Sequence, residues 1–247
     1  EVPEPFGSDV PSLGCWLKIP SSTTAEIAAQ AGFDYVCVDM QHGLADRSDL
    51  LTMLQAIQPH SRRTLVRVPA NEFSVIGWVL DMGATGVIVP LVNSAADAEA
   101  AIRAARYPPD GDRSMGPTRA IRIFGEACVE QAGKAIQCIP MIETRRALEN
   151  LDEILAVPGV DLVYVGPSDL SVNLGLGRGN NDGEPAFDEA LAAILDACRR
   201  HSVVPGIHSN ASLAKRRLEA GFRVLTVAED DTAMLSGLTA VLDDLGR

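Results

Sequence analysis

Lysine is scarce in this sequence. Of the 21 basic residues among 247, only Lys18, Lys134 and Lys215 are lysines, so Schiff-base chemistry has three candidate amines at most. Cysteine is sparse as well. Cys15, Cys37, Cys128, Cys138 and Cys198 are odd in number, scattered and never at CxxC spacing. That pattern points to buried thiols in a reducing cytoplasm rather than to a disulfide framework. No apolar run is long enough to span a bilayer, and no signal-peptide pattern opens the sequence, so a cytoplasmic location is expected. Positive charge is outweighed: a net charge of −12 and a pI near 4.7 argue against nucleic acid or an anionic membrane as partner. A domain linker and a low-complexity tract are also missing.

What is present is material for a core. Hydrophobic residues make up 47% of the chain and the mean hydropathy is +0.10, and this length suits one large α/β barrel or two small domains. Residues 1–11, polar and proline-rich, read as an N-terminal arm without core, and residues 12–247 read as one domain. Apolar runs predict strands over Leu13–Ile19, Asp34–Met40, Arg63–Val68, Gly86–Leu91, Ile139–Ile142, Asp161–Val165, Val203–Ile207 and Phe222–Val227. Amphipathic stretches lie between them, such as the stripe of Leu50, Leu51, Leu54 and Ile57. Residues 107–134 break the rhythm: they predict an ordered loop followed by a short helix, a length expected of a lid or binding loop. Eight strands alternating with helices predict a single (β/α)8 TIM barrel with a long loop insertion after the fourth strand. A doubly wound sheet would usually carry a glycine-rich phosphate turn after its first strand, and the sequence has none there.

A barrel gathers its functional groups at the carboxyl ends of its strands. Glu143 ends the fifth strand. Gly166–Pro167–Ser168–Asp169 follows the sixth and turns into a helix with proline in its first turn. Two carboxylates converging there predict a hard divalent metal, Mg2+, Mn2+ or Co2+. Asp39 ends the second strand with His42 just beyond it, Arg67 ends the third, and His208–Ser209 ends the seventh. A divalent ion with open positions would chelate a 2-oxo acid and stabilise its enolate. Gly166, Pro167 and Ser168 would lie along the substrate carboxylate at the helix start. His42, oriented by Asp39, would move protons through a water, and Arg67 would hold the oxyanion. Together these parts fit retro-aldol and aldol chemistry.

Blander readings compete at each position. The two acids can be solvated loop residues and the histidine a structural one. A structural Arg67 would need a nearby carboxylate, since a buried unpaired guanidinium is costly. The lysine route is weak, because Lys134 and Lys215 fall on helices and only Lys18 lies near a strand end. Phosphorylated substrates are not expected either: the loops after the last two strands read HSN and AEDD, with acids where backbone glycines would be wanted.

At these residues the chain resembles the HpcH/HpaI aldolase family of metal-dependent class II pyruvate aldolases. The segments that carry the resemblance are AGFDYVCVDMQHG (31–43), LVRVP (65–69), DMGATGVIVPLV (81–92), RYPPDGDR (106–113), MIETRRALENLDEI (141–154) and GVDLVYVGPSDLS (159–171). The resemblance implies a barrel that assembles as a homo-oligomer, a trimer or hexamer, with active sites at subunit contacts. It implies Glu143 and Asp169 as metal ligands, His42 with Asp39 as the base unit and Arg67 as oxyanion partner. It also implies that Asp81 reaches the histidine of a neighbouring subunit. Two positions depart from the family pattern: Met141 stands where a glutamine often precedes the metal-binding glutamate, and Gln41 stands where a glutamate often precedes the histidine. A CoA-thioester lyase related to citryl- and malyl-CoA lyases is the alternative enzyme, with Arg113, Arg119 and Arg122 as its only candidate phosphate contacts. A barrel that only binds a metabolite is the non-enzymatic alternative.

Overall fold

The computed structural model describes residues 3–7, 9–61 and 63–246; the side chains of residues 132–134, Lys134 included, lie outside that description. Among the described residues the chain runs β1 (Ser12–Leu17), α1 (Ser22–Gln30), β2 (Tyr35–Asp39), α2 (Arg47–Ile57), β3 (Thr64–Arg67), α3 (Phe73–Asp81), β4 (Gly86–Val89) and α4 (Ala95–Ala105). It continues through α5 (Thr118–Phe124), α6 (Ala127–Ala135), β5 (Gln137–Ile142), α7 (Arg145–Glu149), α8 (Leu151–Leu155), β6 (Leu162–Val165) and α9 (Pro167–Asn173). The last elements are α10 (Pro185–His201), β7 (Val204–His208), α11 (Ala211–Ala220), β8 (Val224–Glu229) and α12 (Asp230–Asp244). The strands pair in parallel in sequence order, and β1 pairs with β8 to close the barrel. Helix starts follow the capping residues the sequence offers. Ser21, Asp46, Ser94, Thr144 and Asn210 each accept a first-turn N–H, and Asp46 with Asp49 completes a capping box.

Alternation along each strand divides the apolar residues into two cores. One set faces the helix layer; the other, with Trp16, Tyr35, Cys37, Leu65, Ile88, Ile139, Met141, Leu162, Tyr164, Val204 and Val224, fills the interior. Large interior side chains are matched by glycines. A Cβ on Gly14 would lie 2.1 Å from the Tyr35 ring, so Gly14 makes the space that Tyr35 fills. The Tyr35 and Tyr164 hydroxyls both reach the Thr226 hydroxyl, at 3.1 and 2.6 Å, which satisfies the polar tips of two buried rings.

Three expectations are corrected here. The N-terminal arm does have core. Phe6 is buried edge-on to Tyr35, with ring centroids 5.3 Å apart, and its backbone N–H donates to Gln137 Oε1 at 2.8 Å. The arm therefore plugs the amino-terminal end of the barrel. Residues 107–134 carry two helices instead of one, and they follow α4, which returns the chain to that same end. Arg119 donates to Met82 O and Gln58 Oε1, which fastens the insertion beside the end of α3. It is no lid over the carboxyl-end mouth. The helix predicted after β5 is two short ones, broken at Asn150, whose side-chain Nδ2 donates to Asn93 O at 2.8 Å.

The last helix differs from the others. Every residue from Asp231 to Gly246 is exposed, including Met234, Leu235, Leu238, Val241, Leu242 and Leu245. These recur at one-, three- and four-residue steps and form a single apolar stripe along α12. The helix is amphipathic, yet it turns no apolar side into its own barrel.

Candidate active site

At the carboxyl mouth the inward-facing positions of several strands give way to polar residues or to glycine. Asp39 is at the end of β2, Arg67 at the end of β3, Glu143 just beyond β5, Gly166 just beyond β6 and His208 at the end of β7. The structure thus brings the expected residues of β2, β3, β5 and β6 to one face.

Glu143 is buried, with only 2% of its surface exposed. Its Oε1 accepts the Leu91 N–H at 2.7 Å. Leu91 lies in the left-handed region at φ 54°, a strained conformation for a leucine, and this aims its N–H at the carboxylate. Burial pushes the Glu143 carboxyl up to about 7; the Asp169 charge adds to the rise, while the Leu91 hydrogen bond and Arg67 oppose it. Beside it, Gly166 lets the Glu143 side chain pack against its backbone: a Cβ there would lie 2.4 Å from Oε2 and 3.0 Å from Met141 Cε. Asp169 stands in the first turn of α9, exposed, with no hydrogen bond to its carboxylate among the described residues. A buried carboxylate and a nearby second carboxylate with no hydrogen-bond partner among the described residues form an oxygen donor pair. That pair fits a hard divalent cation with further positions left for water and substrate.

Arg67 and Asp39 form a bidentate ion pair: Nε donates to Oδ1 at 2.8 Å and Nη2 to Oδ2 at 2.5 Å. Arg67 has the nearby carboxylate that a structural role would require, and its guanidinium also lies 5.1 Å from the centre of the Trp16 ring. Asp39 further accepts the Trp16 indole N–H at 3.1 Å and the backbone N–H groups of Gln41 and His42 at 3.0 and 3.2 Å. Burial pushes the Asp39 carboxyl up, but these bonds, Arg67 above all, outweigh it and hold the group below its ordinary value.

Asp39 and His42, expected to act as one unit, meet through the backbone of the turn. Asp39 fixes the backbone of the His42 loop, not the imidazole, because its lone pairs go to the Arg67 fork, Trp16 and the turn. The His42 ring is exposed and has no hydrogen-bond partner among the described residues. Asp81 is not without a role inside the subunit either. Its Oδ1 accepts from Arg113 Nη2 at 2.6 Å, at the end of α3 remote from the chain's own mouth. Arg113 is 3% exposed, lies over the Tyr107 ring, and its Nε and Nη1 have no hydrogen-bond partner among the described residues. Lys18 is engaged at the mouth, with Nζ 2.7 Å from Glu229 Oε2 and 3.1 Å from Asp231 Oδ2. Burial pulls the Lys18 ammonium down, and the two carboxylates outweigh it, so the amine is held protonated. That is opposite to what a Schiff-base nucleophile requires.

Sequence reasoning missed Leu91, Trp16 and Glu229. Glu229 was legible only as one of a run of acids, and nothing in the sequence shows that Lys18 and His208 fold onto it. Leu91 had no signal at all, because a positive φ at leucine is visible only in the backbone.

The profile of the HpcH/HpaI aldolase/citrate lyase family matches residues 12–236. A 4-hydroxy-2-oxo-heptane-1,7-dioate aldolase from Klebsiella pneumoniae subsp. pneumoniae is 40% identical over 94% of this chain and 88% of its own length. A 2-dehydro-3,6-dideoxy-6-sulfogluconate aldolase from Pseudomonas putida is 39% identical, covering 93% and 91% of the two chains. The crystal structure of an HpcH/HpaI aldolase/citrate lyase family protein from Burkholderia cenocepacia J2315 superimposes with a TM-score of 0.89 at 32% identity, covering 97% of this chain and 96% of that one.

Proposed function

This chain belongs to the HpcH/HpaI aldolase/citrate lyase family, and from that premise we propose that it is a divalent-metal-dependent aldolase that cleaves a 4-hydroxy-2-oxo acid to pyruvate and an aldehyde. The observation that carries the reading is the convergence of Glu143 and Asp169 at the mouth, with Glu143 packed against the Gly166 backbone. When bound by that pair, Mg2+, Mn2+ or Co2+ supplies Lewis-acid polarisation of the 2-oxo group.

The protein's own groups do the rest. Arg67, held rigid by Asp39 and Trp16, faces the oxygen that gains negative charge as the carbon–carbon bond breaks. Gly166, Pro167 and Ser168 line the substrate carboxylate: the glycine admits it, the proline presets the turn, and the serine offers its N–H. His42 exchanges protons with solvent from the rim. Asp39 positions; it does not react.

The CoA-lyase alternative loses most of its support, because Arg113 is committed to Asp81 and Arg119 to Met82 and Gln58, which leaves Arg122. The active form is a homo-oligomer, a trimer or hexamer. The bare apolar stripe of α12 and the Asp81–Arg113 pair, far from the chain's own mouth, both support contact with a second copy. The test of the activity is a screen of aldehydes with pyruvate, with and without chelator. Metal-restored carbon–carbon bond formation is expected, and full activity in chelator would overturn the class. Light scattering that finds an active monomer would remove Asp81 from the site.

A further inference from the structure

The Glu143–Asp169 pair stands at the ends of β5 and β6, and Asp39 with Arg67 at those of β2 and β3. At β4 the Leu91 N–H is spent on Glu143, and Asn93 is bonded to Thr144 and Asn150. The β7–β8–β1 side is the part of the mouth left for the rest of a substrate. The strand register is irregular there. Gly14 pairs with Thr226, but Cys15 pairs with Ala228 and Trp16 with Glu229, so β8 carries one extra residue at this step. Val224 and Thr226 face the barrel interior, and unbroken alternation would put Ala228 there next. The bulge gives the place beside the inward-facing Trp16 to Glu229 instead. Trp16 in turn joins the two sides of the mouth. Arg67 lies 5.1 Å from the indole centre, and the His208 ring stands edge-on to it at 5.1 Å.

Glu229 is the hub of a charged network on this side. Its Oε1 lies 2.7 Å from His208 Nε2, and its Oε2 accepts from Lys18 Nζ at 2.7 Å and from the Thr232 hydroxyl at 3.1 Å. Lys18 Nζ also donates to Asp231 Oδ2 at 3.1 Å, and Asp230 accepts the backbone N–H groups of Lys18 and Ile19. The His208 hydrogen bond, and Lys18 after it, pull the Glu229 carboxyl down to about 2 against the effect of burial. Three carboxylates thus face one lysine and one histidine. Negative charge exceeds positive whether or not the imidazole is protonated. Nor is a spare cation at hand among the described residues: Arg67 is paired with Asp39, and Arg217, which reaches the His208 carbonyl, with Asp182. The side chains of His208, Glu229 and Lys18 are 23%, 25% and 27% exposed, so the network is half-buried but open to the mouth.

We propose that this network receives the aldehyde half of the substrate and selects neutral, hydroxyl-bearing aldehydes over those that end in a carboxylate, with Glu229 setting the preference; this rests on the aldolase reading above. A hydroxyl finds both kinds of partner here. It can donate to the oxygens of Glu229 or Asp231 and accept from the third N–H of the Lys18 ammonium, whose other two are spent on those acids. A carboxylate finds no donor that is not already shared with one. To be held it would have to draw Lys18 away from Glu229 and Asp231 and leave their charges half-buried and unpaired. The bulge in β8 is what places this obstacle inside the mouth, since alternation without it would put the methyl of Ala228 there.

The experiment compares kcat/KM for succinic semialdehyde and for glyceraldehyde, each condensed with pyruvate and Mg2+ by the same preparation. The acid-to-neutral ratio then cancels the fraction of folded enzyme. Butanal, an uncharged four-carbon chain, separates size from charge. Wild type is expected to favour glyceraldehyde, and added salt to narrow the gap to succinic semialdehyde. Glu229→Gln is expected to raise the acid-to-neutral ratio about tenfold, and Asp231→Asn to raise it by less. Lys18→Met is expected to lower it, and the butanal ratio is expected to move less than the acid ratio in every variant. Opposite shifts from Glu229→Gln and Lys18→Met are the signature of charge, because a merely structural loss would move both variants the same way. Wild type that favours succinic semialdehyde, an acid ratio unchanged in Glu229→Gln and Asp231→Asn, or acid and butanal ratios that move together overturns this inference alone. So does wild type that exchanges the C3 protons of pyruvate for deuterium yet condenses none of the three aldehydes. Wild type that neither condenses nor exchanges overturns the aldolase reading and this inference with it.

Discussion

The two ends of the barrel are built from the same strands and do opposite things. At the amino end Phe6, Tyr35 and Gln137 seal the interior with neutral groups, most of them satisfied. At the carboxyl end Asp39, Arg67 and Glu143 hold charge in buried positions, and His208 stands half-buried beside them. Climbing one strand shows how little separates the two: Tyr35, Cys37 and Asp39 are successive inward positions on β2, each step about 6.6 Å. Ile139, Met141 and Glu143 repeat the sequence on and just beyond β5. The lower layers fix the height and direction of the top one, so packing beneath the mouth is what aims the chemistry.

The largest effect should come from removing the metal pair. Glu143→Gln and Asp169→Asn are each expected to abolish activity and metal binding in titration calorimetry while the melting curve stays cooperative. Gly166→Ala should do nearly the same without changing a charge, because its Cβ would sit 2.4 Å from Glu143 Oε2. A fully active Gly166→Ala would show that the close approach of Glu143 to this backbone is not needed.

Arg67 tests whether the two ends can be uncoupled. Arg67→Ala should lower kcat by roughly 10²–10³, and it should also cost about 3–5 kcal/mol of stability by stranding the buried Asp39 carboxylate. Arg67→Met combined with Asp39→Asn should recover most of the melting temperature and none of the rate. Recovery of both would make the pair purely structural. At the opposite end, Phe6→Ala should cost about 3–5 kcal/mol in denaturant unfolding and leave kcat at 25 °C unchanged. A large fall in kcat there would mean the plug shapes the mouth.

A pH series sharpens the contrast further. Metal-free Glu143 has its carboxyl raised by burial from 4.5 to about 7. The folded state therefore holds its proton more tightly than the unfolded one. Its contribution to stability is greatest below about pH 4.5, falls as pH rises towards 7 and then levels off, of the order of 3 kcal/mol in all. Mg2+ should raise the melting temperature more at pH 8 than at pH 5, and a shift independent of pH would count against Glu143 as ligand. The smallest effect is expected from Lys18→Met: a severalfold loss of cleavage, and no borohydride-trapped adduct with pyruvate in wild type.

The fold was legible because eight apolar runs, separated by amphipathic stretches, leave few other architectures for one chain. Glu143, Arg67 and Asp169 were legible for a related reason: a polar residue closing an apolar run needs an explanation. What could not be read was pairing across the mouth. Asp39 precedes His42 by three residues, so proximity in sequence suggested a dyad, yet the shorter reach runs across the sheet to Arg67. Phe6 was invisible because one aromatic in a proline-rich arm carries no periodicity. The 107–134 stretch misled through its length, since which end of the barrel a long connection serves depends on whether it follows a strand or a helix.

The five buried thiols have a practical consequence. Burial pushes all of them up, Cys15, Cys138 and Cys198 to about 12, so none offers a reactive thiolate at neutral pH. The folded native protein should be blank to maleimide reagents. A single cysteine placed on the bare stripe of α12, as in Leu238→Cys, would then be the lone labelling position. Its rate of modification against protein concentration would report directly whether that helix is free or covered.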